Sequence, residues 1–412
     1  MDATGRTLRW LFGEEGSVAT ERELQVVVIA TAATVTGVFV VSPIVSQLSG
    51  PFGVTDAQAG QLVTAFVAPS IVLVPAMGML ADRMGRKPIL VTGLLVFGVA
   101  GAAIAAVPSF PVVMGLRAIQ GIGYAAIIPV TVAMLGDLYS GEREATAQGL
   151  RVAGIQAVNL VSPPLAGVLV LASWRYPFLL YALAVLIAAW AWVALPDVEP
   201  AGATSIRAYA ADLASSLARP AMAMVMLTFA VRFVLTFAFF AYVSVLVGAA
   251  LGGSAVASGL LVSGYGLVSL VASTQVGRMT SAWDIVLVTL AGFVIAGIGM
   301  TLMGAVPSTA GLVVGAVLLG FGGGVTGPVQ KSLVTQYVPA SKRAGAVSSS
   351  VVLQSVGQAV GPLLMGLVIA RYPVTLGFVG FGIVFGGLGA ALLAGAYVLG
   401  DVAEEGSPAA GN

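Results

Sequence analysis

Runs of roughly twenty apolar residues recur along this chain, about twelve in all, and each is long enough to cross a hydrocarbon layer as a helix. A backbone in hydrocarbon must satisfy its own N–H and C=O groups, so such runs admit little besides membrane-spanning helices. The spans expected are about 24–46, 58–80, 88–107, 111–135, 146–171, 177–195, 221–248, 255–277, 285–306, 310–335, 346–370 and 374–399. Composition agrees: 58% of the residues are hydrophobic and 8% charged, against about 25% charged in a soluble domain. A soluble globular protein is excluded. The 53 glycines suit helices that approach one another closely.

Several function classes fall at the same step. The formal net charge is +1, so no nucleic-acid partner is expected. With no Cys and no His, the chain lacks disulfides, thiolate chemistry, the commonest metal ligands and the usual proton shuttle. It also has no phosphate-cradling loop with a lysine and no catalytic Ser or carboxylate pair. No catalytic residue, metal or cofactor is expected, and the chain reads as a non-enzyme. The N-terminus mixes Arg6, Arg9, Glu14, Glu15, Glu21, Arg22 and Glu23 ahead of the first apolar run, unlike a cleavable leader, so that run reads as a retained span. Thr20 and Glu23 have capping-box spacing at its start.

Most Lys and Arg residues fall on one side of the alternating loops, among them Arg22, Arg83, Arg86, Lys87, Arg143 and Arg278, whereas the other side takes Arg175 and Arg371. By the positive-inside rule both termini face the cytoplasm, in a multi-pass protein of the inner (cell) membrane. The expected organisation is a cytoplasmic tail at 1–23, a six-helix bundle at 24–195, a cytoplasmic linker at 196–220, a second six-helix bundle at 221–399 and a cytoplasmic tail at 400–412. Within the linker Ile206, Tyr209, Leu213 and Leu217 recur at helical spacing, which predicts a short helix on the membrane surface. Sliding the chain by 199 residues aligns Gly121 with Gly320, Gly123 with Gly322, Pro129 with Pro328, Pro163 with Pro362 and Gly78 with Gly277. Such matches predict parallel repeats with a substrate path at their interface.

Three groups of residues carry chemistry. Gly78 to Pro88 sets one carboxylate and three cations between two apolar runs. Gly78 would allow close packing, Asp82 can accept from Arg86, Gly85 permits the chain reversal, and Gly78, Asp82, Arg83, Gly85 and Arg86 together can latch one state of a two-state bundle. The matching segment at Gly277 keeps Arg278 and Asp284 but few other charges. In the membrane, Arg117 with Gln120 in the fourth run and Arg232 in the seventh are costly enough to be functional candidates, while Arg151 and Lys331 lie close enough to one face to reach water. All 17 acidic residues fall in loops, tails or span ends, so a buried carboxylate relay has no obvious member; Asp137 is the candidate for ion coupling. Finally, Pro163 and Gly167 in the fifth run and Gly361 and Pro362 in the eleventh are candidates for helix packing.

These motifs resemble a known family. Gly78 to Lys87 matches the signature loop G-x-L-a-D-r-x-G-r-k of the major facilitator superfamily at every fixed position. Arg117 to Gly123 resembles its fourth-helix R-x-x-q-G-x-g motif, and Ser162 to Gly167 a degenerate form of the fifth-helix G-P-x-x-G-G motif of antiporters, with Ser162 and Ala166 in place of two glycines. The resemblance points to the drug:proton antiporter branch and implies a cavity lined by the first, fourth, seventh and tenth helices, with alternating access by rocking of the halves. Arg117 and Arg232 would then lie on cavity helices. The first helix lacks the carboxylate many such antiporters carry; Gln25, Thr31, Thr34, Thr36 and Ser42 stand there instead.

The expected fold is an all-α integral membrane protein of twelve helices in two six-helix bundles. The expected function is secondary transport of a small organic solute by alternating access, as efflux of amphipathic or drug-like compounds. Arg117, Gln120, Arg232 and Thr34 are the candidate substrate contacts. An organic-anion transporter using Arg117 and Arg232 is one alternative, and a non-transporting membrane receptor of the same fold is another. The partners expected are the solute, the lipid bilayer and a coupling proton or sodium ion, with the protein a monomer.

Overall fold

The computed structural model describes residues 18–197, 220–337 and 343–405. Twelve helices in it are long and apolar enough to cross a membrane: α1 (Arg22–Phe52), α2 (Asp56–Met84), α3 (Arg86–Ala106), α4 (Phe110–Leu138), α5 (Gly141–Ala172), α6 (Tyr176–Ala194), α7 (Pro220–Leu251), α8 (Ala255–Ala282), α9 (Ile285–Ala305), α10 (Thr309–Val334), α11 (Ser349–Ile369) and α12 (Val374–Leu399). No strand occurs among the described residues. The surface helix expected between 196 and 220 falls almost wholly outside them, as do most of the tails.

Helix ends follow local chemistry. Beyond its expected end, α1 continues to Phe52 through a single 3-10 turn at Ser42–Ile44, where Pro43 has no N–H to continue the regular ladder. Thr55 and Gln58 form a reciprocal capping box at the start of α2. The box expected from Thr20 and Glu23 is a correction: the N-cap of α1 is Glu21, with φ −74° and ψ 132° and no side-chain capping bond. The short turn at 18–20 absorbs Thr20. Glu21 accepts instead from Arg143 at the start of α5, so its carboxylate ties two helices together.

Packing repeats itself between the two sets of six. In the first set α4 packs on α1, α2 and α3, α1 on α5 and α6, and α3 on α6; adding six to each label gives the packing of the second set. The 199-residue offset appears in the contacts themselves. A Cβ placed on Gly121 would lie 2.0 Å from the Phe66 carbonyl oxygen, and one on Gly320 would lie 2.7 Å from that of Tyr265. Gly123 meets Gly93 as Gly322 meets Gly292, each closer than a side chain allows. These glycines let α4 and α10 approach neighbouring backbones, the close crossing that stands in for hydrophobic drive in lipid. The sets meet each other along α5 against α8 and α2 against α11.

Candidate functional site

The hydrogen bonds described between the two sets gather in the parts of the helices away from the charged 78–88 loop. Gln61 on α2 donates to Tyr242 Oη (3.0 Å) on α7 and to the Pro362 carbonyl (3.2 Å) on α11. Tyr242 Oη in turn lies 3.0 Å from the Ala57 carbonyl. Thr64 donates to the Ala359 carbonyl (3.2 Å), and the Ser46 N–H to Ser244 Oγ (3.2 Å). On the α5–α8 seam Ser263 donates to the Leu160 carbonyl at 2.7 Å, an oxygen that loses its helical donor because Pro164 has no N–H. Gly259 and Gly167 let the seam close: Cβ atoms there would fall 2.5 Å from the Pro163 carbonyl oxygen and 2.6 Å from that of Ala255. The four packing candidates thus lie at helix crossings, with Gly361 against the Val234 carbonyl of α7. Sequence reasoning missed Tyr242. Its signal was a phenol within an unbroken apolar run, a polar tip that needs a partner when buried.

Toward the charged loop the seams open. A Cβ on Gly78 would meet nothing nearer than Pro129 at 3.9 Å, and Gly149 on α5 and Gly277 on α8 have no neighbour within 4 Å. Gly85 turns the chain between α2 and α3 with φ +93°, a conformation that favours glycine. Arg86 then reaches Asp82 (2.5 Å) and Asp137 (2.9 Å), joining the ends of α2, α3 and α4. Asp82, Arg86 and Asp137 are therefore one cluster, while Arg83 is exposed and has no ion-pair partner among the described residues. In the second set Arg278 reaches, among the described residues, Gln275 (3.2 Å), and Asp284 caps α9 by accepting from the Val286 N–H (2.7 Å). We expect Arg86→Ala to cost about 1–2 kcal/mol of stability, as loss of two partly exposed pairs does, but to slow flux in vesicles at least fivefold. A melting curve and a flux assay on one preparation separate the two effects.

The intramembrane polar residues divide into satisfied and unsatisfied. Arg117 is fully buried. It donates to the carbonyls of Leu62 (3.1 Å) and Gly37 (2.6 Å) and to Gln120 Oε1 (2.6 Å), and lies over the Phe66 ring at 4.5 Å. Tyr181 of α6 points its hydroxyl at the Thr36 carbonyl (3.1 Å) beside it. This knot joins α1, α2, α4 and α6. Thr34 is fully buried and bonds back to the Thr31 carbonyl (2.6 Å) of its own helix. Arg232 is half-buried, its Nε is sealed from solvent without an acceptor among the described residues, and its guanidinium covers the Phe233 ring at 4.3 Å. The structure thus brings Arg117 and Gln120 together but leaves Arg232 apart from them, on the other set. No group of His, Cys, Asp or Glu able to hold a metal occurs among the described residues.

Two stretches of the chain, 27–248 and 224–411, match the family model described as Major Facilitator Superfamily. The chain belongs to the major facilitator superfamily. It is a multi-pass membrane protein of a transporter family, and its facilitator fold aligns over 93% of its length with a bacterial homolog of the human lysosomal transporter Spinster, solved inward-facing and occupied (TM-score 0.74, 15% identity, 96% of that chain). It aligns equally with a POT family transporter in complex with 5-aminolevulinic acid (TM-score 0.75, 14% identity, 94% of this chain and 97% of that one). Among curated facilitators it is 31% identical over 145 residues to the bacillibactin exporter of Bacillus subtilis, covering 33% of this chain and 36% of that protein. It is 29% identical over 142 residues to the quinolone resistance protein NorA of Staphylococcus aureus, covering 34% and 37%. The chain thus matches about a third of the length of these curated relatives. In this facilitator the two sets are fastened by the Tyr242 knot and the glycine seam at one end and stand apart at the other, where the Arg86 cluster lies.

Proposed function

We propose that this protein is a secondary transporter that moves a small amphipathic organic solute out of the cytoplasm by alternating access. The observation that carries the reading is the polarity of the fastening: hydrogen bonds and glycine contacts between the sets at one end, open glycines at the other. Such an arrangement fits one of the two states of a rocking pair. The excess of Lys and Arg at the open end supports a cytoplasmic placement of that end, and with it an inward-open state in the cell membrane. Exporter relatives support efflux as the direction. Both sets lie in one chain, which supports a pathway formed within a monomer.

Coupling runs through the Arg86 cluster in this reading. A proton arriving on Asp137 removes one of the two negative charges paired with Arg86 and loosens the ends of α2, α3 and α4; sodium is the other candidate ion. Asp137→Asn is then expected to preserve downhill exchange while reducing accumulation at least fivefold in vesicles under a pH gradient. Equal loss of both would remove Asp137 from coupling. The transporter reading itself is tested by counterflow in reconstituted vesicles, with ethidium and 6-carboxyfluorescein as matched aromatic cation and anion. Binding without counterflow would make the protein a receptor on a transporter fold.

A further inference from the structure

Resting on the transporter reading, we propose that the solute is an organic anion, and that Arg232, Lys331 and Arg151 form the site that takes its carboxylate, sulfonate or phosphate group. The three cations come from α7, α10 and α5, hence from both sets. All lie in the parts of the helices that face the open end. Arg232 is about 18 Å and Arg151 about 15 Å along their helices from that end, and Lys331 about 5 Å.

Arg232 and Lys331 share one locality. A Cβ on Gly327 would stand 3.1 Å from Arg232 Nη1, and Lys331 follows Gly327 by four residues, on the same helical face. Lys331 is exposed and lies within electrostatic reach of both Arg232 and Arg151. Arg151 donates to Gln148 Oε1 (3.0 Å) on its own helix and has no acidic partner among the described residues. Arg117, the other intramembrane arginine, is spent on carbonyls and Gln120 and does not join the group.

Among the described residues, the carboxylates that have a polar partner are engaged elsewhere. Asp82 and Asp137 hold Arg86, Glu21 holds Arg143, Asp197 holds Lys87, Asp56 accepts from Ser49 near the fastened end, and Asp284 caps α9. Glu144 is two turns from Arg151, toward the open end, beside Gly136. Cations gathered in low-dielectric surroundings without counter-charge repel one another and oppose closure of the open end. An anion relieves that repulsion, and a guanidinium can pair with its oxygens in bidentate fashion. A cationic solute would add to the repulsion. The half-buried ring of Phe233, 4.3 Å from the Arg232 guanidinium, offers an apolar body a surface next to Arg232. An amphipathic anion uses both parts.

The test is fluorescence anisotropy of 6-carboxyfluorescein and of ethidium on the full chain in detergent, with inorganic phosphate as competitor, followed by flux of the same dyes in vesicles. The expected result is carboxyfluorescein binding at least tenfold tighter than ethidium, weakened at least tenfold by Arg232→Gln and at least threefold by Lys331→Gln, and retained in Lys331→Arg. Lys331→Glu should move the preference toward ethidium. Melting of each variant without dye is read first; should Arg232→Gln fail to fold, the exposed Lys331 series decides. Ethidium binding as tight as carboxyfluorescein, carboxyfluorescein binding unaffected by the Arg232 and Lys331 variants, or phosphate binding with no organic anion bound overturns the inference. Ethidium counterflow without carboxyfluorescein binding would sink the anion site and leave the transporter standing. Arg232-dependent carboxyfluorescein binding without any flux would do the reverse.

Discussion

Gly259→Val is expected to abolish the state in which the sets are fastened away from the charged loop, and with it at least 90% of transport. The nearest atoms to a Cβ at this position are Pro163 O (2.5 Å), Pro163 C (2.7 Å) and Pro164 Cα (2.8 Å), all in or bonded directly to the α5 main chain. A rotamer change cannot relieve such an overlap, so α8 must move off α5. Overpacking of about 3 kcal/mol shifts a two-state population about a hundredfold, enough to empty this state. The chain has no cysteine, which makes the readout direct. Cysteines at Ser46 and Ser244, whose backbone and side chain meet at 3.2 Å, should cross-link in the parent and fail to do so in the Gly259→Val background. Unchanged cross-linking together with unchanged transport would remove the α5–α8 seam from the transport cycle. A melting temperature within a few degrees of the parent shows that the helices still assemble.

Arg117→Met should be the most destabilising single substitution in the first set, at about 3 kcal/mol or more. It withdraws a charged donor from two carbonyls and an amide and removes the stacking on Phe66, in a site with no water to take over. Lysine offers one compact ammonium where the fork spans Leu62, Gly37 and Gln120, so Arg117→Lys should recover only part of the loss. Thermal melting in detergent measures both. If Arg117→Met melts like the parent while anion binding falls, Arg117 contacts the solute and the knot is not what holds α1, α2, α4 and α6.

Much of this was legible in the chain because a bilayer imposes simple rules. The twelve spans follow from the need to bury backbone polar groups in helices, and the cost of a charge in hydrocarbon singled out Arg117 and Arg232. Arg117 with Gln120 was readable as one turn of helix. Arg86 with Asp137 was not, because 51 residues separate them and only the meeting of α3 with α4 brings them together. Thr34 read as a polar residue free to face a cavity, yet a threonine hydroxyl in a helix can turn back to its own carbonyls, and here it does. The Thr20 box failed because the short turn at 18–20 takes in Thr20 and moves the N-cap to Glu21, a shift of one residue that local spacing does not register.

The sequence by itself determined the class of molecule, the number and order of its membrane helices, the repeat that relates its halves and the family to which it belongs, since each rests on short-range periodicity or a contiguous motif. Tertiary structure alone decided that the two intramembrane arginines are unlike. One is closed off by backbone carbonyls of two other helices and the amide of Gln120, and the other keeps an Nε without an acceptor among the described residues. Which end of the molecule is fastened was likewise a tertiary matter, because glycines at 78, 149 and 277 read the same in sequence as those at 167 and 259, and only the neighbouring helix decides which of them has no room for a side chain.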